Sequence, residues 1–148
     1  MPFVPHLKRK KVLTVNNKRL GDSFENELAQ ILFRNGFWVY VTKSKIGGQP
    51  ADIIAAKDGI AYLIDCKVCS DNTFDTERIE ENQKNAMSLF NKCGNGRGIF
   101  ALKMPDGAIF MLGCHIALHH RQDKRSMNRE EIEESAHTLK QWIERCSL

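Results

Sequence analysis

The stretch Ile60-Ala61-Tyr62-Leu63-Ile64-Asp65-Cys66-Lys67-Val68 decides how the rest of the chain is read. Its β-branched, aromatic and aliphatic content predicts a strand. Strand side chains alternate between faces, so Tyr62, Ile64, Cys66 and Val68 share one face and Ala61, Leu63, Asp65 and Lys67 the other. Asp65 and Lys67 therefore project side by side from a strand whose other positions are apolar. A carboxylate in a dry sheet must be paired, protonated or bound to a cation. An ion pair with Lys67 near the strand end satisfies the first condition.

Working outward, Ala51-Asp52-Ile53-Ile54-Ala55-Ala56-Lys57 precedes that strand across Asp58-Gly59. Asp-Gly between two apolar runs signals a hairpin, because both central residues must tolerate positive φ. Asp52 then begins the partner strand, where it is either a loop-end cap or a second carboxylate beside Asp65. Two carboxylates brought together repel, which raises one pKa. A divalent cation removes the conflict, and Mg²⁺ prefers a few carboxylate oxygens plus waters.

Upstream, GDSFENELAQILFRNG predicts a helix with Asp22 as N-cap and Gly36 just past its end. FWVYVT predicts a strand, and KSKIGGQP a glycine-containing loop. Downstream, SDNTFD reads as a polar loop, followed by a helix from about Thr76 to Lys92 stopped by Gly94. GIFALK and AIFML form a strand pair around Pro105-Asp106-Gly107. A single helix from about Asn128 to Arg145 closes the chain, with Ile132, Ala136, Leu139, Ile143 and Cys146 as its stripe. The order α-β-β-β-α-β-β-α predicts an α+β layered domain with a mixed central sheet flanked by helices.

Two more polar residues sit on apolar faces. Glu25 lies on the side of Leu28, Ala29 and Leu32, although Asp22-x-x-Glu25 also has the spacing of a capping box. Glu27 sits further round the helix and reads as solvated. Gln83 falls within the stripe Ile79, Ala86 and Phe90, where a buried amide needs partners. It either satisfies backbone groups or offers an oxygen to a cation. Cys66-x-x-Cys69 places its thiols on opposite faces of a strand, which opposes joint chelation. Cys114 with His115, His119 and His120 reads as packed thiol and surface histidines rather than zinc site. Trp38 and Trp142 read as core or interface.

The 148 residues suit one domain, and no apolar run is long enough to cross a bilayer. Five cysteines at irregular spacing suit reduced thiols and a cytoplasmic setting. The formal net charge of +4 is unevenly placed. Residues 1–20 carry Lys8, Arg9, Lys10, Lys11, Lys18 and Arg19 with no acid, leaving the rest at −2. Such an arm suits contact with nucleic acid or simple solubility. The expected division is a basic arm over 1–20 and a single domain over 21–148.

Taken in order, Gly21-x-x-x-Glu25 in a helix, Gln49-Pro50-Ala51-Asp52 opening a strand, and Asp65-Cys66-Lys67 on the next resemble a PD-(D/E)XK nuclease core. The run GDSFENELAQILFRNGFWVY is similar to the opening of archaeal-type Holliday junction resolvases. Gln83 resembles a metal-site glutamine of RecU-like resolvases. The resemblance spans about Gly21 to Leu112. It implies a restriction-endonuclease-like αβββαβ core and a Mg²⁺-dependent endodeoxyribonuclease, with Mn²⁺ substituting, that nicks four-way DNA junctions in pairs as a homodimer. It further implies that Asp52 and Asp65 ligate the metal and that Glu25 completes the acidic cluster. Lys67 would position the attacking water or steady phosphate charge, and Gln83 would be an auxiliary ligand. The arm, with Lys43 and Lys45, would hold the DNA backbone. The setting implied is the cytoplasm of a bacterial or phage-infected cell. Asp65 stands where many relatives carry Glu, Pro50 where some carry Thr, and no stalk-like insertion separates the strands. A repair or restriction nuclease of the same superfamily and a non-catalytic DNA-binding module are the alternatives.

Overall fold

A computed structural model describes residues 17–42 and 49–146, with side chains from residue 23 onward in the first stretch. Helix α1 (Asn17–Arg34) forms because Phe24, Leu28, Ile31 and Leu32 recur at helical spacing and all four are buried. It stops at Gly36, whose φ of 91° suits a residue without Cβ. Lys57 Nζ donates to the carbonyl of Asn35 at 2.9 Å, satisfying an acceptor at the helix end. The backbone is already helical at Asn17, so Asp22 lies inside α1 and is not its N-cap. The capping-box account of Glu25 fails with it, and the expected boundary at residue 20 falls within the helix.

Strands β1 (Trp38–Val41), β2 (Ile53–Lys57) and β3 (Ile60–Val68) follow. The Asp58-Gly59 turn has φ of 52° and 85°, which joins β2 to β3 as the expected hairpin. A short strand β4 (Thr73–Asp75) and a 3₁₀ turn at Thr76–Arg78 precede α2 (Glu81–Lys92). The helix expected from Thr76 is therefore two pieces. Asp75 caps the start of the 3₁₀ turn by accepting from the Glu77 amide, and the extended backbone of Ile79 and Glu80 ends it before Glu80 caps α2.

Strands β5 (Ile99–Lys103) and β6 (Ile109–Gly113) meet across the expected turn. Helix α3 (Cys114–Arg121), unanticipated, follows directly, and then β7 (Ser126–Asn128) pairs with β4 as a separate two-stranded sheet. The single C-terminal helix is replaced by α4 (Arg129–Ser135), β8 (His137–Thr138) and α5 (Leu139–Arg145). Two caps explain the break. Asn128 Oδ1 accepts from Glu131 N at 2.9 Å and Thr138 Oγ1 from Gln141 N at 3.2 Å, so each half starts its own helix.

The main sheet runs β1-β2-β3-β5-β6-β8. Only β3 and β5 are parallel, joined by the crossover that contains α2. Helices α1 and α5 cover one face over Ile53, Ile64, Ala101 and Met111. Helices α2, α3 and α4 and the small sheet cover the other over Leu63, Phe100, Leu102 and Leu112. The result is the expected mixed sheet between helical layers. Among the described residues no helix is long and apolar enough to cross a membrane.

Gly98 sets how closely α2 lies on the sheet. A Cβ there would stand 2.4 Å from Cγ and Sδ of Met87, which is buried in α2. Gly98→Ala is expected to cost about 1–3 kcal/mol by overpacking. Urea denaturation checks this; an unchanged midpoint would show that α2 has slack.

Candidate active site

Strand β2 leaves the ladder just beyond the pair Ile53–Ile64, where Asp52 and Asp65 meet. Asp52 N donates to the Ile64 carbonyl at 3.0 Å, and the Asp52 carbonyl accepts from Thr42 N at 2.9 Å. The Cys66 amide donates to Asp52 Oδ2 at 2.8 Å, so a side chain stands where a continuing strand would offer a carbonyl. Gln49 Nε2 donates to Asp52 Oδ1 at 3.1 Å. Gln49 is in turn held by Asn82 of α2, whose Nδ2 donates to the Gln49 carbonyl at 3.1 Å.

Asp65 is the most enclosed acid of the cluster, 1 % exposed, with Asp52 at 8 %. Gln83 Nε2 donates to Asp65 Oδ1 at 2.7 Å, while its Oε1 accepts from Glu80 N at 3.3 Å. The buried amide thus serves the first turn of α2 and the carboxylate together. Lys67 Nζ stands 2.9 Å from Asp65 Oδ2 and 3.5 Å from Gln83 Oε1. Asp65 Oδ2 is thus partnered by a nearly enclosed ammonium. Gln49 Oε1 is buried with no hydrogen-bond partner among the described residues.

Burial pushes the Asp65 carboxyl up to about 7, and the Asp52 carboxylate beside it pushes the same way. Lys67 opposes both. The Cys66 thiol is held well above its ordinary range, first by burial and then by the charges of Asp52, Asp65 and Glu25. It stays protonated and unreactive.

Asp52, Asp65, Lys67 and Gln83 therefore come together. Glu25, half-buried on α1, lies close enough to act on Cys66, but it does not close a three-carboxylate set. No group of three His, Cys, Asp or Glu side chains among the described residues is placed to hold a metal by itself. The donors still fit a hard cation. Two adjoining carboxylates and the unpartnered buried oxygen of Gln49 suit Mg²⁺, which keeps several waters of its own.

Glu27 is not solvated as expected; it pairs with Lys103. Cys66 and Cys69 pack on opposite sides of the sheet, and Trp142 is core while Trp38 is exposed and stacked near Tyr40. Lys8, Arg9, Lys10, Lys11, Lys43 and Lys45 lie outside the described residues, as do the side chains of Lys18 and Arg19. Roles for Gln49 and Asn82 went unread in the sequence. Gln49 stands three before Asp52, but nothing in that spacing reveals that Asn82 reaches it from another element.

Residues 16–147 match the family described as archaeal Holliday junction resolvase (Hjc). No curated protein sequence matches the chain. Among solved structures the chain is similar to Archaeoglobus fulgidus Hjc, a Holliday junction resolvase from an archaeal hyperthermophile, solved at 1.6 Å resolution. The two share 16 % identity at a TM-score of 0.64, over 83 % of this chain and 99 % of that one, which is a likeness of fold.

The raised Asp65 value has a direction in stability. Between about pH 4 and 7 the folded form holds a proton that the unfolded chain has lost, since the unfolded value is 3.8. This group's contribution is full below pH 4 and is lost as pH rises to 7. In metal-free protein the Asp65 carboxyl carbon is expected to titrate near 7 by NMR. Asp52→Asn should lower that midpoint and Lys67→Met raise it; an ordinary midpoint near 4 in the parent would contradict the enclosure described here.

Proposed function

Because the chain belongs to the archaeal Holliday junction resolvase (Hjc) family and is a junction-cleaving endodeoxyribonuclease, we propose that Asp52, Asp65 and Lys67 are its catalytic core. The observation that carries this reading is the contact of two buried carboxylates beside a nearly enclosed ammonium. Resolvases of this family are nucleases of a typically metal-dependent kind. Mg²⁺, with Mn²⁺ substituting, would be held by Asp52 and Asp65, and would supply a water nucleophilic near neutral pH and relief of charge on the phosphoryl oxygens. Glu25 reaches the same site through water.

The protein's own groups do the rest. Lys67 places a fixed positive charge in a partly desolvated position, where it steadies developing phosphoryl charge more strongly than it would in water. Its pairing with Asp65 holds the ammonium in place. Gln83, whose oxygen is engaged by the Glu80 amide, holds Asp65 in place; its geometry favours positioning over direct ligation. Gln49 does the same for Asp52 and brings a spare oxygen to the cluster.

DNA is held by Lys8, Arg9, Lys10 and Lys11 of the basic arm, by Lys18 and Arg19 at the start of α1, and by Lys43 and Lys45 before Gln49. The support is their charge and, for Lys43 and Lys45, their closeness in sequence to Asp52. A four-way junction has two strands to cut, and each chain carries one site, so two copies act together as a homodimer. Free thiols throughout suit the reducing cytoplasm of a bacterial or phage-infected cell.

A synthetic four-way junction incubated with Mg²⁺ is expected to receive paired symmetric nicks, with none in EDTA and none in linear duplex. Equal cutting of duplex would point to a repair or restriction enzyme. Asp65→Asn and Lys67→Ala should each lower single-turnover cleavage by roughly 10²–10³-fold or more while junction binding persists. Parent-like cleavage by either variant removes it from the machinery.

A further inference from the structure

Helix α2 directs Gln83 at Asp65, and another part of the same helix faces a cavity of about 380 Å³ between α2 and α3. Lys84, Asn85 and Ser88 form one wall; Leu118, Arg121 and Gln122 form the other. No carboxylate lines it, while two cations and three neutral hydrogen-bonding side chains do. Lys84 meets Glu81 at 3.1 Å, but that is an exposed pair one turn apart on the helix, with Glu81 72 % exposed, and such pairs hold weakly. The recess is lined by two cations, of which Lys84 is held only by a weak surface pair and Arg121 by no ion pair among the described residues.

Its position is equally telling. Cys114, at the start of α3, feels the charges of Arg121, Lys84 and Asp65 alike. The recess and Asp65 lie on the same side of the sheet, since Met87 of α2 and Ala117 of α3 pack on the face that carries Leu63, two residues before Asp65 in β3.

We propose that this recess binds the phosphodiester backbone of a junction strand next to the strand being cut, which rests on the reading of the chain as a junction nuclease. A guanidinium offers a planar fork that matches phosphate oxygens, and an ammonium adds a second point charge. Asn85, Ser88 and Gln122 donate to phosphate and sugar oxygens, the contacts that fix register on DNA without reading sequence. Leu118 offers an apolar surface to a deoxyribose. The recess is an open groove, with Asn85, Ser88 and Gln122 exposed, a shape that suits a strand passing across the surface rather than an enclosed small ligand. The recess thus supplies sequence-independent grip from the folded body, separate from the basic arm.

The test is binding of a labelled four-way junction in EDTA, followed by anisotropy across a salt series. The double variant Lys84→Gln, Arg121→Gln is expected to bind about tenfold or more weakly. Its plot of log affinity against log salt should be shallower by about 2, since each lost phosphate contact removes ~0.9. Arg121→Lys, which keeps the charge, should retain the parent slope, and a parent-like urea midpoint of the double variant separates lost contacts from misfolding. Lys140→Gln, exposed on α5 in the opposite layer, should match the parent. A benzophenone side chain placed at Ser88 should crosslink to a junction strand. If the parent binds and cuts junctions but the double variant keeps its affinity and slope, this inference falls alone. If the parent neither binds nor cuts them, the function reading falls and takes this inference with it.

Discussion

At the end of β2 the Asp52 carboxylate takes the Cys66 amide at 2.8 Å, and the remaining geometry of the site follows from that bond. A continuing strand would have met this amide with a backbone carbonyl and left Asp52 free to turn away. Instead the side chain is tied to β3 beside Asp65. Two carboxylates are thereby forced together on one enclosed face. Water cannot screen them there, which is why Asp65 is held near neutrality in its proton affinity.

A pair under that tension needs support from outside the hairpin, and α2 provides it with two consecutive residues. Asn82 fixes Gln49, which fixes Asp52; Gln83 fixes Asp65 directly. The parallel crossover from β3 to β5 brings this helix across the sheet, and the bare Gly98 lets it settle close. Fold and chemistry are coupled at this point: the element that completes the sheet's second layer is also the one that aims both acids. Lys67 then offsets part of the repulsion without cancelling it. A site of this kind is poised to accept positive charge.

Much of this was legible in residue order. The alternation in Ile60–Val68 correctly put Asp65 and Lys67 on one face, and Asp-Gly correctly joined the two strands that carry the acids. The buried position of Gln83 was also legible, because an amide on an apolar stripe breaks the pattern. Helix interruptions were not. Asn128 caps the helix where its start was expected, but Thr138 looks unremarkable until it is seen capping a second helix, and hydrophobic spacing runs on through the break at Ala136. Asp22 misled in the opposite way: it has the chemistry of an N-cap, yet the helix begins before it. Long-range pairings such as Asn82 with Gln49 and Glu27 with Lys103 depend on the packing of separate elements, and local sequence carries no trace of them.

We propose that the Asp52–Asp65 pair exchanges a proton for a divalent cation. Calorimetric titration of Mn²⁺ into DNA-free protein, repeated in buffers of different ionisation enthalpy, tests it most directly. At pH 6 binding should release close to one proton per chain, and at pH 9 almost none, because Asp65 is then already ionised. Cation binding that releases no proton at pH 6, or that survives intact in Asp52→Asn, would contradict the account.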